Sequence, residues 1–114
     1  MKQIEGLTNE ASQLHHILLE DKTTAEITIA FLPSIQRWQI DISHERLTAS
    51  GMLITNNPNF IRQYRHTAEF GLACIAVDGV DPFQIDDFST GRVGLYLLEG
   101  TDLNYVEDTI IGQQ

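Results

Sequence analysis

A chain of 114 residues is long enough for one domain with its own core and short for two independent cores. Sixteen acidic against seven basic side chains give a formal net charge of −9, which disfavours direct binding of nucleic-acid phosphates. The acidity either keeps a small domain soluble or matches a basic partner surface. Because no run approaches the ~20 apolar residues of a membrane helix and the N-terminus lacks a signal-peptide core, we expect a soluble protein made in the cytoplasm.

Most of the chain has the apolar and polar alternation of β-strands. Strands are predicted at 2–7, 13–20, 23–32, 37–43, 46–54, 71–77 and 92–98. The strands at 23–32 and 37–43 should form an antiparallel hairpin, with Trp38 at the centre of the core. Gly51 predicts a bulge, and short helical turns are predicted near Asn59 and at 101–103. We therefore expect a single β-rich domain over 1–114: an all-β small antiparallel sandwich or barrel with one or two short helical turns and an irregular tail at 107–114.

An acidic turn region separates the last two strands. It contains Asp78, Asp81, Asp86 and Asp87. The pairs Asp78-Gly79 and Asp81-Pro82 are typical of tight turns, so we favour turn formation. Carboxylates also suit Ca²⁺, but the spacing differs from that of an EF-hand loop. Partner recognition is the third interpretation.

The residue types needed for catalysis are present but poorly arranged. No serine lies in a G-x-S-x-G motif and no glycine-rich phosphate loop occurs. Asp86 and Asp87 are sequence neighbours and should diverge, and His15 and His16 should point to opposite faces of a strand. Cys74 lies in an apolar run and should be a buried, unreactive thiol. We predict no catalytic residue, no metal and no cofactor, and hence no enzyme.

A locally basic cluster interrupts the acidic chain at Arg62, Tyr64, Arg65 and His66. It is either a solvated turn or an interface anchor, because Arg and Tyr are enriched at binding hot spots. Its arginines could pair with the acidic region of the same chain or of a neighbour. The predicted partner interface comprises Arg62, Tyr64, Arg65, Asp81, Asp86, Asp87 and Phe88.

Short motifs follow one another in a fixed order along the chain. They are LTNE, T-x-x-I-T-I-x-F, R-W-x-x-D-I, Q-Y-R, G-L-x-x-I-x-x-D, D-P-x-x-x-D-D-F and R-V-x-L-Y. Over Leu7 to Glu99 this pattern resembles the small baseplate plug proteins of contractile-tailed bacteriophages. The matching positions are Leu7 to Glu10, Arg37, Trp38, Asp41, Gln63, Tyr64, Arg65, Gly71, Leu72, Asp78, Asp81, Pro82, Asp86, Asp87, Phe88, Arg92, Leu95 and Tyr96.

The resemblance implies a non-enzymatic structural component of the virion, a plug or hub-associated protein that closes or stiffens the central tube end. It would be assembled in the bacterial host cytoplasm and contact hub, tail tube or spike components, with several copies around the tail axis and no nucleic acid or membrane. One alternative is a stand-alone small-ligand or carbohydrate-binding β-domain with a pocket lined by Trp38, Phe60 and Tyr64. Another is a small hydrolase that uses Asp86 and Asp87.

Overall fold

The computed structural model describes residues 2–45, 47–64 and 70–100. Within these ranges the strands are β1 (Lys2–Gln3), β2 (Ser12–Leu18), β3 (Thr24–Leu32), β4 (Arg37–His44), β5 (Leu47–Leu53), β6 (Gly71–Ala76) and β7 (Val93–Leu98). A 3-10 turn follows β5 at Arg62–Tyr64, as predicted. The predicted turn at 101–103 and the tail at 107–114 lie outside the described residues.

The strands form two antiparallel sheets that share one core. The four-stranded sheet has the order β2-β3-β4-β5, and the three-stranded sheet has the order β1-β7-β6. Most buried residues of both sheets belong to one hydrophobic cluster, in which Ile27 and Ile40 of the larger sheet are fully buried, like Leu72 and Leu95 of the smaller one. The all-β prediction is therefore confirmed, in its sandwich form.

The β3–β4 hairpin supplies the larger wall of this core. Its register places Phe31 opposite Trp38 and Ile29 opposite Ile40. Trp38 is fully buried, and its ring lies 5.5 Å from the ring of Phe31 and 5.2 Å from that of Phe88. These are normal distances for aromatic pairs, and the core position predicted for Trp38 is confirmed.

Two strand ends differ from the prediction by more than one residue, because the chain turns there. The first strand stops at Gln3, and Gly6 has a positive φ of 83° that redirects the chain away from β7. The second strand ends at Leu18 because a turn follows, in which the Lys22 N–H donates to the Leu19 carbonyl at 3.0 Å.

The bulge predicted at Gly51 is present in β5. Ile40 pairs with Met52 and Ile42 with Ala49, so Asp41 faces two residues of β5. Gly51 has a φ of 73°, and its N–H donates to Asp41 Oδ1 at 2.8 Å. The glycine takes a conformation that costs other residues free energy, and the bulge bends this edge of the sheet.

Candidate functional site

The segment that joins β6 to β7, residues 77–92, is the longest described connection between two strands of one sheet, and we call it the 77–92 loop. At its base the Val77 N–H donates to the Arg92 carbonyl at 2.8 Å. Asp78 and Gly79 form the predicted turn: Gly79 has a φ of 75°, and Asp78 Oδ1 accepts from the Val80 N–H at 3.1 Å. The predicted arrangement of strand, acidic turn region and strand is therefore correct.

The guanidinium of Arg92 lies at the centre of the loop. Its Nε and Nη2 donate to the two carboxylate oxygens of Asp87 at 2.9 and 2.8 Å, and its Nη1 donates to Asp78 Oδ1 at 2.6 Å. It also donates to the carbonyls of Val80 and Asp81 at 3.2 Å. The two parallel bonds to Asp87 form the bidentate pairing that makes Arg–carboxylate contacts strong and geometrically specific.

Asp87 orders the backbone of the loop as well as holding Arg92. Its side chain is only 1% exposed, and Oδ2 accepts from the N–H groups of Phe83 and Gln84 at 2.7 and 2.8 Å. Burial alone would raise the pKa of Asp87, but the hydrogen bonds from Arg92 and the two N–H groups outweigh it, so the pKa lies below its usual value. The bonds from Asp87 raise the pKa of Arg92. Both groups stay charged at neutral pH.

Contacts to the larger sheet tie the loop to the rest of the fold. Asp81 accepts from the backbone N–H of Asn56 at 2.7 Å and from Arg37 Nη2 at 3.3 Å. The indole N–H of Trp38 donates to the Gln84 carbonyl at 2.9 Å. Because these partners come from β4 and the segment after β5, the position of the loop depends on both sheets.

The outer surface of the loop carries four large apolar side chains although its sequence is acidic. Val77 is 85% exposed, and Val80, Phe83 and Ile85 are exposed by 38% to 49%. Phe83 also stacks with Arg92, whose guanidinium carbon lies 4.9 Å from the ring centre. Three of the four carboxylates of the loop, those of Asp78, Asp81 and Asp87, therefore pair with arginines, and the loop presents large apolar side chains to solvent.

The predicted interface residues differ in how far the structure buries them. Asp87 and Phe88 are buried within the chain, where Asp87 holds Arg92 and Phe88 packs on Trp38. Asp86 is exposed and Asp81 is half-buried. Arg62 lies in the 3-10 turn together with Tyr64, and Arg65 is outside the described residues. A partner interface at these positions stays a prediction.

Two arginines that were not predicted from the sequence for this role pair with carboxylates of the loop. Among the described residues, Asp81 pairs with Arg37 and Asp87 with Arg92. Pairing of Arg62 and Arg65 with the acidic region of this chain or of a neighbour stays a prediction, and Arg65 lies outside the described residues. Arg37 is the first residue of β4, and Arg92 is the last residue of the loop, directly before β7. A signal existed: Arg92 is the only basic side chain between residues 71 and 99, after four aspartates.

The other candidate side chains lie in surroundings that favour a structural role. Cys74 is buried, and burial, followed by the charge of Asp81, raises the pKa of its thiol to about 12. Trp38 is enclosed by Phe31 and Phe88, so it does not face an open pocket as the ligand-binding alternative requires. Among the described residues no cluster of three or more His, Cys, Asp or Glu side chains could hold a metal ion. The same residues include no helix with the length and apolarity to span a membrane.

A comparison with protein families matches residues 1–100 to the family described as the cyanophage baseplate Pam3 plug gp18. No match to a curated protein was found. The match covers both sheets and the whole 77–92 loop. It supports a structural role in the baseplate of a phage tail, in contact with other baseplate proteins. The chain belongs to the family of cyanophage baseplate plug proteins.

Proposed function

We propose that this chain is the plug of a contractile tail, where it closes or stiffens the central end of the tail tube by protein–protein contacts. It acts by docking and not by catalysis. Hub, tail tube or spike components are its partners, and several copies surround the tail axis. Family membership supports the location in the virion, and the acidic net charge of −9 supports partners other than nucleic acid.

The observation that carries this proposal is the inverted polarity of the 77–92 loop. Arg92 and Arg37 pair with three of its four carboxylates, while Val77, Val80 and Phe83 stay exposed. Apolar side chains on an exposed loop give up little solvation when a partner covers them, and interface cores are poor in charged residues. The loop is thus built as an apolar docking element on an acidic protein.

Hydrogen bonds already order the loop before any partner arrives. Asp87 fixes the backbone at Phe83 and Gln84, and Asp81 is held from the other sheet. A preordered loop loses less conformational entropy on binding than a mobile one. Of the predicted interface residues, Asp86 lies on this loop with an exposed side chain, and we assign it to the rim of the interface.

The proposal is tested by replacing Val77 with Asp and measuring incorporation into tails. Tails assembled without this chain are incubated with the purified protein, and bound protein is quantified after sedimentation. Val77→Asp should lower the affinity at least about tenfold, because a carboxylate must be desolvated without a partner. Because Val77 is 85% exposed, the substitution should leave the urea midpoint unchanged.

Thr48→Asp is the matched control, because threonine is close to valine in shape and Thr48 is exposed on β5. It adds the same charge to a sheet face away from the loop and should bind like the original chain. Equal binding of both variants would remove the 77–92 loop from the interface. No binding of the unsubstituted chain to tails would refute the plug function itself.

A further inference from the structure

In the part of the chain that the structure describes, the two sheets have four edge strands, and three of them are blocked against further pairing. The edge of β6 is covered by the segment after β5: Asn57 and Cys74 exchange backbone hydrogen bonds of 2.9 and 3.0 Å, and the Phe60 N–H donates to the Leu72 carbonyl at 2.9 Å. β5 carries the bulge at Gly51, and β1 has only two residues. Such features commonly prevent edge strands from pairing with other chains.

β2 is the exception among the described strands. It runs for seven residues, contains no proline and pairs with β3 in unbroken register. Phe31 donates to the Ala11 carbonyl and Leu19 to the Thr23 carbonyl, which sets the alternation of the ladder. The residues between them whose N–H and C=O groups point away from β3 are therefore Ser12, Leu14, His16 and Leu18. No described residue pairs with these groups.

The side chains beside this edge favour an extended, partly apolar occupant. Leu14 is 57% and Leu18 63% exposed on the outer face of the sheet. On the inner side a groove of about 370 Å³ lies between β2 and β1, with Ile17 and Leu97 in its wall. A strand added to β2 would place alternate side chains on the two leucines and in the groove, the usual geometry of strand addition.

We propose that the free edge of β2 accepts an extended basic segment of another baseplate protein as an additional strand. The inference rests on the proposed plug function and names a second contact surface. Charge identifies the partner: residues 1–32 carry the acids Glu5, Glu10, Glu20, Asp21 and Glu26 against the bases Lys2 and Lys22. Lys or Arg at the ends of the added strand would meet opposite charges, which favours association and orientation.

A second copy of this chain is a poor occupant of the same edge. Antiparallel pairing of two β2 strands brings the start of one strand beside the end of the other. Glu10 of one copy would then approach Glu20 and Asp21 of the next. Like charges at strand ends disfavour this pairing, and each copy carries a net charge of −9.

Proline tests the backbone contribution directly. Leu14→Pro removes an N–H group that points away from β3, so the ladder to β3 keeps its hydrogen bonds. Leu53→Pro is the control, because the bond from the Ile54 N–H to the Trp38 carbonyl places the Leu53 N–H on the outer edge of β5. With tails assembled without this chain as the probe, Leu14→Pro should weaken binding at least about tenfold, whereas Leu53→Pro should not. Circular dichroism and urea midpoints check that both variants fold.

Leu18→Cys identifies the occupant. Cys74 is the only native cysteine and is buried, so a photoreactive label attaches at position 18 alone. Cross-linking in reassembled tails, followed by mass spectrometry, should recover a peptide of net positive charge from another baseplate protein. A cross-link to a second copy of this chain, or equal binding of the two proline variants, would overturn the inference and leave the plug function standing. Failure of the unsubstituted chain to bind tails would refute both.

Discussion

Replacing Asp87 with Asn tests whether the ion pair with Arg92 holds the 77–92 loop together. Four hydrogen bonds reach the Asp87 carboxylate, from Arg92 Nε and Nη2 and from the N–H groups of Phe83 and Gln84. In Asp87→Asn the amide oxygen can still accept from the two backbone groups. That oxygen also keeps the bond from Arg92 Nη2, but the amide nitrogen faces Arg92 Nε, so that two donors meet there and the charge attraction of the pair is lost.

The cost can be bounded from the surroundings of Arg92. Removing one partner of a fully buried ion pair costs about 3–5 kcal/mol. Arg92 is 19% exposed and keeps Asp78 at 2.6 Å, so its charge stays partly compensated. We therefore expect a loss of about 2–3 kcal/mol in the free energy of unfolding, below the fully buried range. For a chain of this length, this loss lowers the melting temperature by roughly 8–13 °C.

Urea denaturation followed by Trp38 fluorescence measures this loss. Trp38 is the only tryptophan, and its indole N–H donates to the Gln84 carbonyl within the loop. Asp86→Asn is the matched control: the same charge is removed from the neighbouring, exposed side chain, and the change should stay within about 0.5 kcal/mol. Equal destabilisation by the two substitutions would refute the structural role of Asp87.

The same pair predicts how stability depends on pH. The pKa of Asp87 in the folded chain lies below its ordinary 3.8, so the folded state binds this proton less readily than the unfolded state. Its contribution to stability is complete above about pH 5 and is lost as the pH falls through 3.8 and below. Urea midpoints measured between neutral and acidic pH should therefore decline less steeply in Asp87→Asn, and parallel curves would contradict this assignment.

Four further predictions concern the core and two glycines of the strands. Trp38→Ala should lower the free energy of unfolding by about 3–5 kcal/mol, measured by urea denaturation with circular dichroism. An unchanged urea midpoint would contradict the central position of Trp38 in the core. Gly71→Ala should lower the free energy of unfolding by about 1–3 kcal/mol, since the added Cβ would lie 2.8 Å from the Asn59 amide nitrogen. Gly51→Ala should lower it by about 1–2 kcal/mol, because the surroundings of Gly51 are open and only its positive φ opposes the change. Cys74 should react with iodoacetamide only in denaturant, and rapid labelling of the folded chain at pH 8 would show that the thiol is accessible.

The alternation of side chains was enough to predict the strands and the core. Apolar residues at a period of two can be buried together only on one face of a strand. The inward positions of Ile27, Ile29 and Ile40 could therefore be predicted from the sequence. Trp38 was readable because the largest apolar side chain of an alternating strand gains most from burial. The bulge at Gly51 was readable because glycine interrupts the pattern.

Only the tertiary structure shows how the side chains of the 77–92 loop pair and that the edge of β2 is open among the described residues. A loop has no repeating period, so its sequence does not reveal that Asp87 turns inward and Asp86 outward. Arg37 and Asp81, 44 residues apart, meet because the two sheets stack. Whether an edge is open depends on which distant segment covers it, as the segment after β5 covers β6. Side-chain periodicity is local, whereas ion pairing and edge protection depend on how distant segments are brought together.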